Sequence, residues 1–144
     1  MPSGPVHTGV NLGALGLMGV LAAPGKWWQW PEAWWFMGAY LFSTFFLSPD
    51  LDLWRSQSRR SWGALGILWL PYARLFRHRG LSHHWLWGPL SRVGYLALLA
   101  LPLLALWPRF DPSWLSEMRR YGGWILLGIY IPHWLHIALD AWAP

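Results

Sequence analysis

Residues 10–23, 33–47, 93–107 and 122–139 contain no Asp, Glu, Lys or Arg. Four uncharged runs in a chain of 144 residues constrain its fold more than any other feature. A chain this short buries proportionally little surface, so one aqueous core cannot hide all four runs. A bilayer removes the difficulty by acting as the solvent. Composition agrees: 55% of residues are hydrophobic and 12% charged, against about 25% charged in an ordinary soluble domain. Fifteen Trp residues fit the aromatic belt at a membrane–water interface; Trp27, Trp28 and Trp30 mark such a turn between the first two runs. The expected architecture is therefore all-α: a single membrane domain over residues 1–144, an integral bundle of about four transmembrane helices.

The details of the runs refine this picture. The first ends at Pro24-Gly25 and reaches spanning length only if it begins near His7 and Thr8. Its Gly13, Gly16 and Gly19 form a small-residue stripe suited to close helix packing, within the chain or between copies in a homo-oligomer. The second run reaches spanning length if counted back to Trp28. The third contains Pro102 and the fourth Pro132. A further apolar stretch, residues 62–76, contains Pro71 and is flanked by arginines. It reads as an interfacial or re-entrant helix in the central loop. Residues 108–121 read as a polar loop. The start of the chain has no basic region before an apolar run, so no cleaved signal peptide is expected.

Charge sets the orientation. Seven of the eleven basic residues lie in residues 50–92: Arg55, Arg59, Arg60, Arg74, Arg77, Arg79 and Arg92. The first loop has Lys26 alone and the third has Arg109, Arg119 and Arg120. The positive-inside rule places the central loop, and with four spans both termini, in the cytoplasm. A net charge of +5 concentrated in this way suits anionic membrane lipid and gives no reason to expect nucleic acid. With no Cys, disulfides and thiolate metal sites are excluded.

This topology gathers six His and three of the four Asp at one end of the bundle. His136 and Asp140 are four apart on one helical face, with His133 one turn earlier. Asp50 and Asp52 follow Pro49; in an extended segment both point the same way, though Ser-Pro-Asp is also ordinary turn chemistry. His78 and His83 flank Gly80, which would let a kinked loop bring them together. Of the adjacent His83 and His84 only one can face the site, and His83 is the expected one. Ser82 is placed to cap a helix beginning near His84. His7 joins by its topological position. Imidazoles and carboxylates without thiols suit Zn²⁺, with Mn²⁺, Fe²⁺ or Ni²⁺ as alternatives. The donor count exceeds one closed tetrahedral site. Such a centre can lower the pKa of water and neutralise a phosphoryl group. One of Asp50, Asp52 or a non-ligating His is then the candidate general base, and Arg79 a candidate anion donor.

The ordered set PDLD, HRGLSH and HIALD resembles a bacterial family of inner-membrane proteins predicted to be metal-dependent hydrolases, the YdjM-like family. The opening MPSG-x-x-H and the stretch WLPYARLFRHR are similar to a related bacterial family of metal-binding proteins. The likeness covers nearly the whole chain and implies His7, Asp50, Asp52, His78, His83, His136 and Asp140 as metal ligands, with Arg79 beside them. Leu53 departs from the pattern, standing where YdjM-like members can carry His. The function these readings imply is hydrolysis of a phosphoester or lipid-like substrate at the cytoplasmic face of the bacterial inner membrane. The alternatives are a purely structural metal site and a metal-ion carrier. No charged residue falls in mid-span, which counts against a carrier.

Overall fold

The computed structural model describes residues 3–76, 80–106 and 113–142. Among them there is no strand. Six α-helices follow one another: α1 (Gly4–Ala22), α2 (Pro31–Phe46), α3 (Gln57–Ser61), α4 (Leu70–Leu75), α5 (Trp87–Ala105) and α6 (Ser113–Trp142). Prolines start the first two, where a missing N–H costs nothing: Pro5 opens α1 and Pro31 opens α2. A 3₁₀ turn at Ala23–Gly25 and the left-handed Lys26 (φ 51°) end α1.

Three segments are long and apolar enough to cross a membrane: Gly4–Gly25, Trp87–Leu104 and Ser113–Trp142. The expected fourth, α2, has 16 residues and is about 24 Å long. That is short of a hydrocarbon core of roughly 30 Å. By length and composition three crossings are shown, and a fourth by α2 is not. Even so, α2 returns the chain to its starting end. His7 lies in the first turns of α1, Asp50 lies just past α2, and both reach His136 or Asp140 near the end of α6.

Helix α2 packs along α6, and a missing side chain makes the approach close. A Cβ on Gly128 would lie 2.5 Å from the Phe36 carbonyl oxygen. Ser43 Oγ donates to the Ile129 carbonyl at the same crossing, 2.9 Å. The glycine stripe of α1 is not used in this way. Among the described residues a Cβ on Gly13 or Gly16 would meet nothing within 4 Å, and one on Gly19 would touch only the Trp27 side chain, at 3.7 Å.

The central segment is helical in pieces, a 3₁₀ turn at Gly63–Trp69 leading into α4. It folds under the end of α2 through a small core of Leu47, Leu51, Trp69 and Tyr72. Trp62 Nε1 donates to the Phe46 carbonyl at 2.9 Å, satisfying one acceptor at the end of α2. Helix boundaries also differ from expectation. Helix α5 begins at Trp87, which puts Arg92 inside it, and residues 113–121 belong to α6 rather than to a loop. Residues 107–112 lie outside the described part.

Candidate metal centre

Helix α6 supplies the rigid half of the centre. Its His136 and Asp140 point to one side, with Nε2 of the former 3.5 Å from Oδ2 of the latter, as their spacing predicts. The chain's start adds His7, whose ring stacks on His136 at 3.7 Å and whose Nε2 lies 3.1 Å from Asp140 Oδ1. The 3₁₀ turn Pro49–Asp52 adds Asp50, with Oδ1 3.6 Å from His136 Nε2. The turn Leu81–His83 adds His83, with Nε2 3.8 Å from both Asp50 Oδ1 and Asp140 Oδ2. Four segments far apart in sequence therefore converge.

The spacing is diagnostic. Donors about 2.0 Å from one ion in a tetrahedral shell sit about 3.3 Å from each other. Of the five separations above, one (3.1 Å) lies just below that value and four (3.5, 3.6, 3.8 and 3.8 Å) lie above it. Four of them are too long for hydrogen bonds. His136 Nε2 and both carboxylate oxygens of Asp140 are buried, and no hydrogen bond of acceptable geometry reaches them. Leaving such atoms unsatisfied costs roughly 1–3 kcal/mol each, more for a charged group. A cation between them satisfies all of them at once. Two groups of three ligand atoms are close enough to hold an ion: His7, His136 and Asp140; and Asp50, His83 and His136. They share His136 and so form one centre. Burial pushes the Asp50 carboxyl up, but His136, with His83 and His7, pulls it down by more. Its charged form is thus favoured opposite the imidazoles.

Asp52 stands outside both groups. The expectation that it would face the same ion as Asp50 assumed an extended segment. The 3₁₀ turn rotates each residue by about 120°. Leu51 is driven into the core, and Asp50 and Asp52, two residues apart in the turn, are rotated by about 240° from each other rather than aligned. Asp52 Oδ2 instead accepts from Ser82 Oγ at 2.7 Å, and the same hydroxyl oxygen lies 3.2 Å from His83 Nδ1. A hydroxyl has one proton. Spent on Asp52, it leaves Ser82 as acceptor, so His83 Nδ1 carries a hydrogen and Nε2 offers its lone pair to the centre. Ser82, expected as a helix cap, orients His83. The capping is done by His84, whose Nδ1 accepts from the amides of Leu86 and Trp87, both 3.2 Å.

His133 is also elsewhere. Its Nδ1 accepts from Arg92 Nη2 at 2.8 Å and its Nε2 lies 3.2 Å from the His84 carbonyl oxygen. Both ring nitrogens are committed, which leaves none for an ion. Arg92 is fully buried, donating also to the carbonyls of Gly88 (2.9 Å), Ser82 (3.4 Å) and Leu47. Gly88 permits this packing, since a Cβ there would lie 2.5 Å from the Ser82 carbonyl oxygen. An arginine inside an apolar helix is itself a signal; counted among the basic residues of the central loop, Arg92 gives no sign of it. His78 and Arg79 lie outside the described residues.

The centre has two polar neighbours. Behind His7, a cavity of about 20 Å³ is lined by Asn11 and Thr44 among others, about the size needed for one water. In front, a groove of about 630 Å³ opens outward, and His7, Asp50 and Asp140 line it.

Residues 2–144 match the family described as "Uncharacterized metal-binding protein (DUF2227)". The chain belongs to that family. It is also 36% identical to a protein of Aquifex aeolicus (strain VF5) described as uncharacterized, over 70% of this chain and 84% of that one. No solved structure matches it. The family's metal has a donor set to occupy here in three imidazoles and two carboxylates, with no thiol.

Proposed function

From membership of a metal-binding family, we propose that this protein is a metal-dependent hydrolase of the bacterial inner membrane. In this reading it acts on a phosphoester or lipid-like substrate at the cytoplasmic face. His7, Asp50, His83, His136 and Asp140 hold the ion, with zinc the first candidate and manganese, iron or nickel the alternatives. The observation that carries the reading is that the cluster faces a groove. His7, Asp50 and Asp140 present one side to one another and line the opening with the other. A structural ion is closed off by its protein ligands; a catalytic one keeps a side for substrate. The ion would supply charge stabilisation at a phosphoryl oxygen and a lowered pKa for water. Asp50 lines the groove and faces the other ligands through Oδ1, so its second oxygen would be the one to take a proton, and Arg79, one residue before Gly80, remains a donor for the anion.

A membrane setting is supported by the apolar surface the fold leaves outward. Val20 and Leu21 on α1 and Leu98, Leu101 and Leu103 on α5 are all more than half exposed, which in water would be an aggregation hazard. The basic loop argues for the cytoplasmic side. Reporter fusions after Leu53 and near Asp111 should report opposite sides.

A second reading has its own support: the ion would pin four distant segments, which is what a structural metal does. One experiment separates the two. Protein purified without added metal should carry a stoichiometric divalent ion and hydrolyse some member of a phosphoester panel in anionic liposomes. Chelation should abolish turnover. Full metal occupancy with no turnover on any substrate would leave the structural reading standing.

A further inference from the structure

We infer that Arg55 and Arg60 form a clamp for the phosphate group of a phosphomonoester, set in the wall of the groove that His7, Asp50 and Asp140 also line. This rests on the metal-centre reading above and adds to it the residues that select the ligand.

The basic run after the PDLD turn contains three arginines that the fold treats differently. Arg59 is buried, and its guanidinium lies 4.1 Å from the ring of Trp54. It holds that ring in place and is not available to a ligand. Arg55 and Arg60 are exposed, and both line the groove together with His7, Asp50 and Asp140. Among the described residues neither forms an ion pair, although two carboxylates share the groove with them. The backbone of Arg60 is fixed in α3, and Arg55 lies in the turn before it. Ser56 caps α3 by accepting from the Arg59 amide at 3.3 Å, and the Arg60 amide bonds the Ser56 carbonyl at 3.2 Å. Gln57 packs against Gly4, so the start of α1 forms the adjoining wall.

Charge defines the ligand. Asp50 and Asp140 contribute −2 to the groove and Arg55 and Arg60 contribute +2, a net of zero. A divalent ion among the ligands raises this to +2, the complement of a phosphomonoester dianion. Guanidinium suits that partner because its planar donors match two phosphate oxygens. Without the ion the carboxylates cancel the arginines, so anion binding should depend on metal. Leu53 and Trp54 form an apolar lip on the same groove, fit for the organic part of the ester. The phosphate could sit on a soluble molecule or on a lipid headgroup.

The test uses the full chain in detergent and inorganic phosphate as the probe, with calorimetry as the readout. The metal-loaded protein should bind phosphate and the chelator-stripped protein should not. Arg55→Gln and Arg60→Gln should each weaken binding by roughly ten- to a hundredfold, the worth of a hydrogen bond to a charged group. Bound metal should be unchanged, and the Lys variants should recover part of the affinity. Phosphate affinity unaltered in the double Gln variant overturns the clamp. So does loss of metal in that variant, which would mean that the arginines act on the centre and not on the anion. Absence of phosphate binding to metal-loaded wild type, together with no preference for vesicles containing phosphatidic acid over phosphatidylcholine alone, also overturns it. A preference for phosphatidic acid that needs both arginines assigns a lipid source; phosphate binding without that preference assigns a soluble one. Phosphate binding with no ester turnover would keep the clamp and sink the hydrolase reading. Turnover indifferent to both arginines would do the reverse.

Discussion

His133 and His136 sit three residues apart on α6, and both are almost completely buried, at 2% and 3% exposure. Their surroundings are opposite. His133 has a donor on one nitrogen and an acceptor by the other, Arg92 and the His84 carbonyl. His136 turns Nε2 toward two carboxylates with no hydrogen bond to either. Burial and helical spacing do not tell these two histidines apart. Accounting for each ring nitrogen does. A node whose polar atoms are all satisfied belongs to the frame, and one whose atoms converge unsatisfied is built for something that arrives from outside.

The largest effect should come from breaking the frame. Arg92→Ala would orphan the His133 Nδ1 and the Leu47 and Ser82 carbonyls together, at roughly 3 kcal/mol or more in sum. A thermal melt in detergent should show a severe loss of stability with or without metal. The Leu81–His83 turn would be released as well, so bound metal should fall too. A variant as stable as wild type would mean that the node is not structural.

Next in size is the contrast between the two histidines themselves. His136→Ala, like Asp140→Ala, should lower metal affinity by more than the roughly 10–100-fold that outer contacts supply. It should destabilise the protein mainly when metal is present. His133→Ala should destabilise metal-free and metal-loaded protein alike and leave an ion with its full donor set. Elemental analysis paired with melts of both forms reads this directly. If the two variants behave in the same way, the distinction drawn from their nitrogens is wrong.

Much of the centre was legible in the sequence because α6 is a long regular helix. The i, i+4 spacing of His136 and Asp140 predicted their shared face, and the uncharged runs with a basic central loop placed the remaining donors at one end. The losses came where backbone geometry is local. The PDLD segment reads equally as extended or as a turn, and only the burial of Leu51 decides for the 3₁₀ form that sends Asp52 to Ser82. Arg92 counts as a loop charge when the apolar span is taken from residue 93, whereas it lies inside α5 and is buried. Among the described residues no helix packs closely on Gly13 or Gly16, which leaves packing between copies as the other use of the stripe. A fourth crossing is not shown, because α2 has only 16 residues, although it runs back to the end from which α1 starts.

A smaller effect tests the orientation of His83. Ser82→Ala removes the hydroxyl that fixes Nδ1 as the protonated nitrogen. Metal affinity should drop by roughly 10–100-fold, as for other outer partners of a ligating histidine. Asp52→Ala should do about the same, and the double variant little more, because one chain of hydrogen bonds is cut in either place. Additive losses would show that Asp52 acts on the centre by a separate route, as a ligand or base.

The smallest effect is expected at His84, and it marks the edge of the centre. His84 is adjacent to His83 and exposed, and its Nδ1 accepts the amides of Leu86 and Trp87 at the start of α5. This is the work of an N-terminal cap, and losing one costs about 1 kcal/mol. The contact from His84 to His133 runs through the backbone carbonyl and survives truncation of the side chain. His84→Ala should therefore lower the melting temperature slightly, equally with and without metal, and leave metal content unchanged. His84→Asn, whose side-chain oxygen can accept the same amides, should restore most of the difference. Metal loss comparable to that of His83→Ala would show that the adjacent ring reaches the ion. The contrast between satisfied and convergent histidines would then need a third class, a residue that caps a helix in the metal-free protein and changes partners when the ion binds.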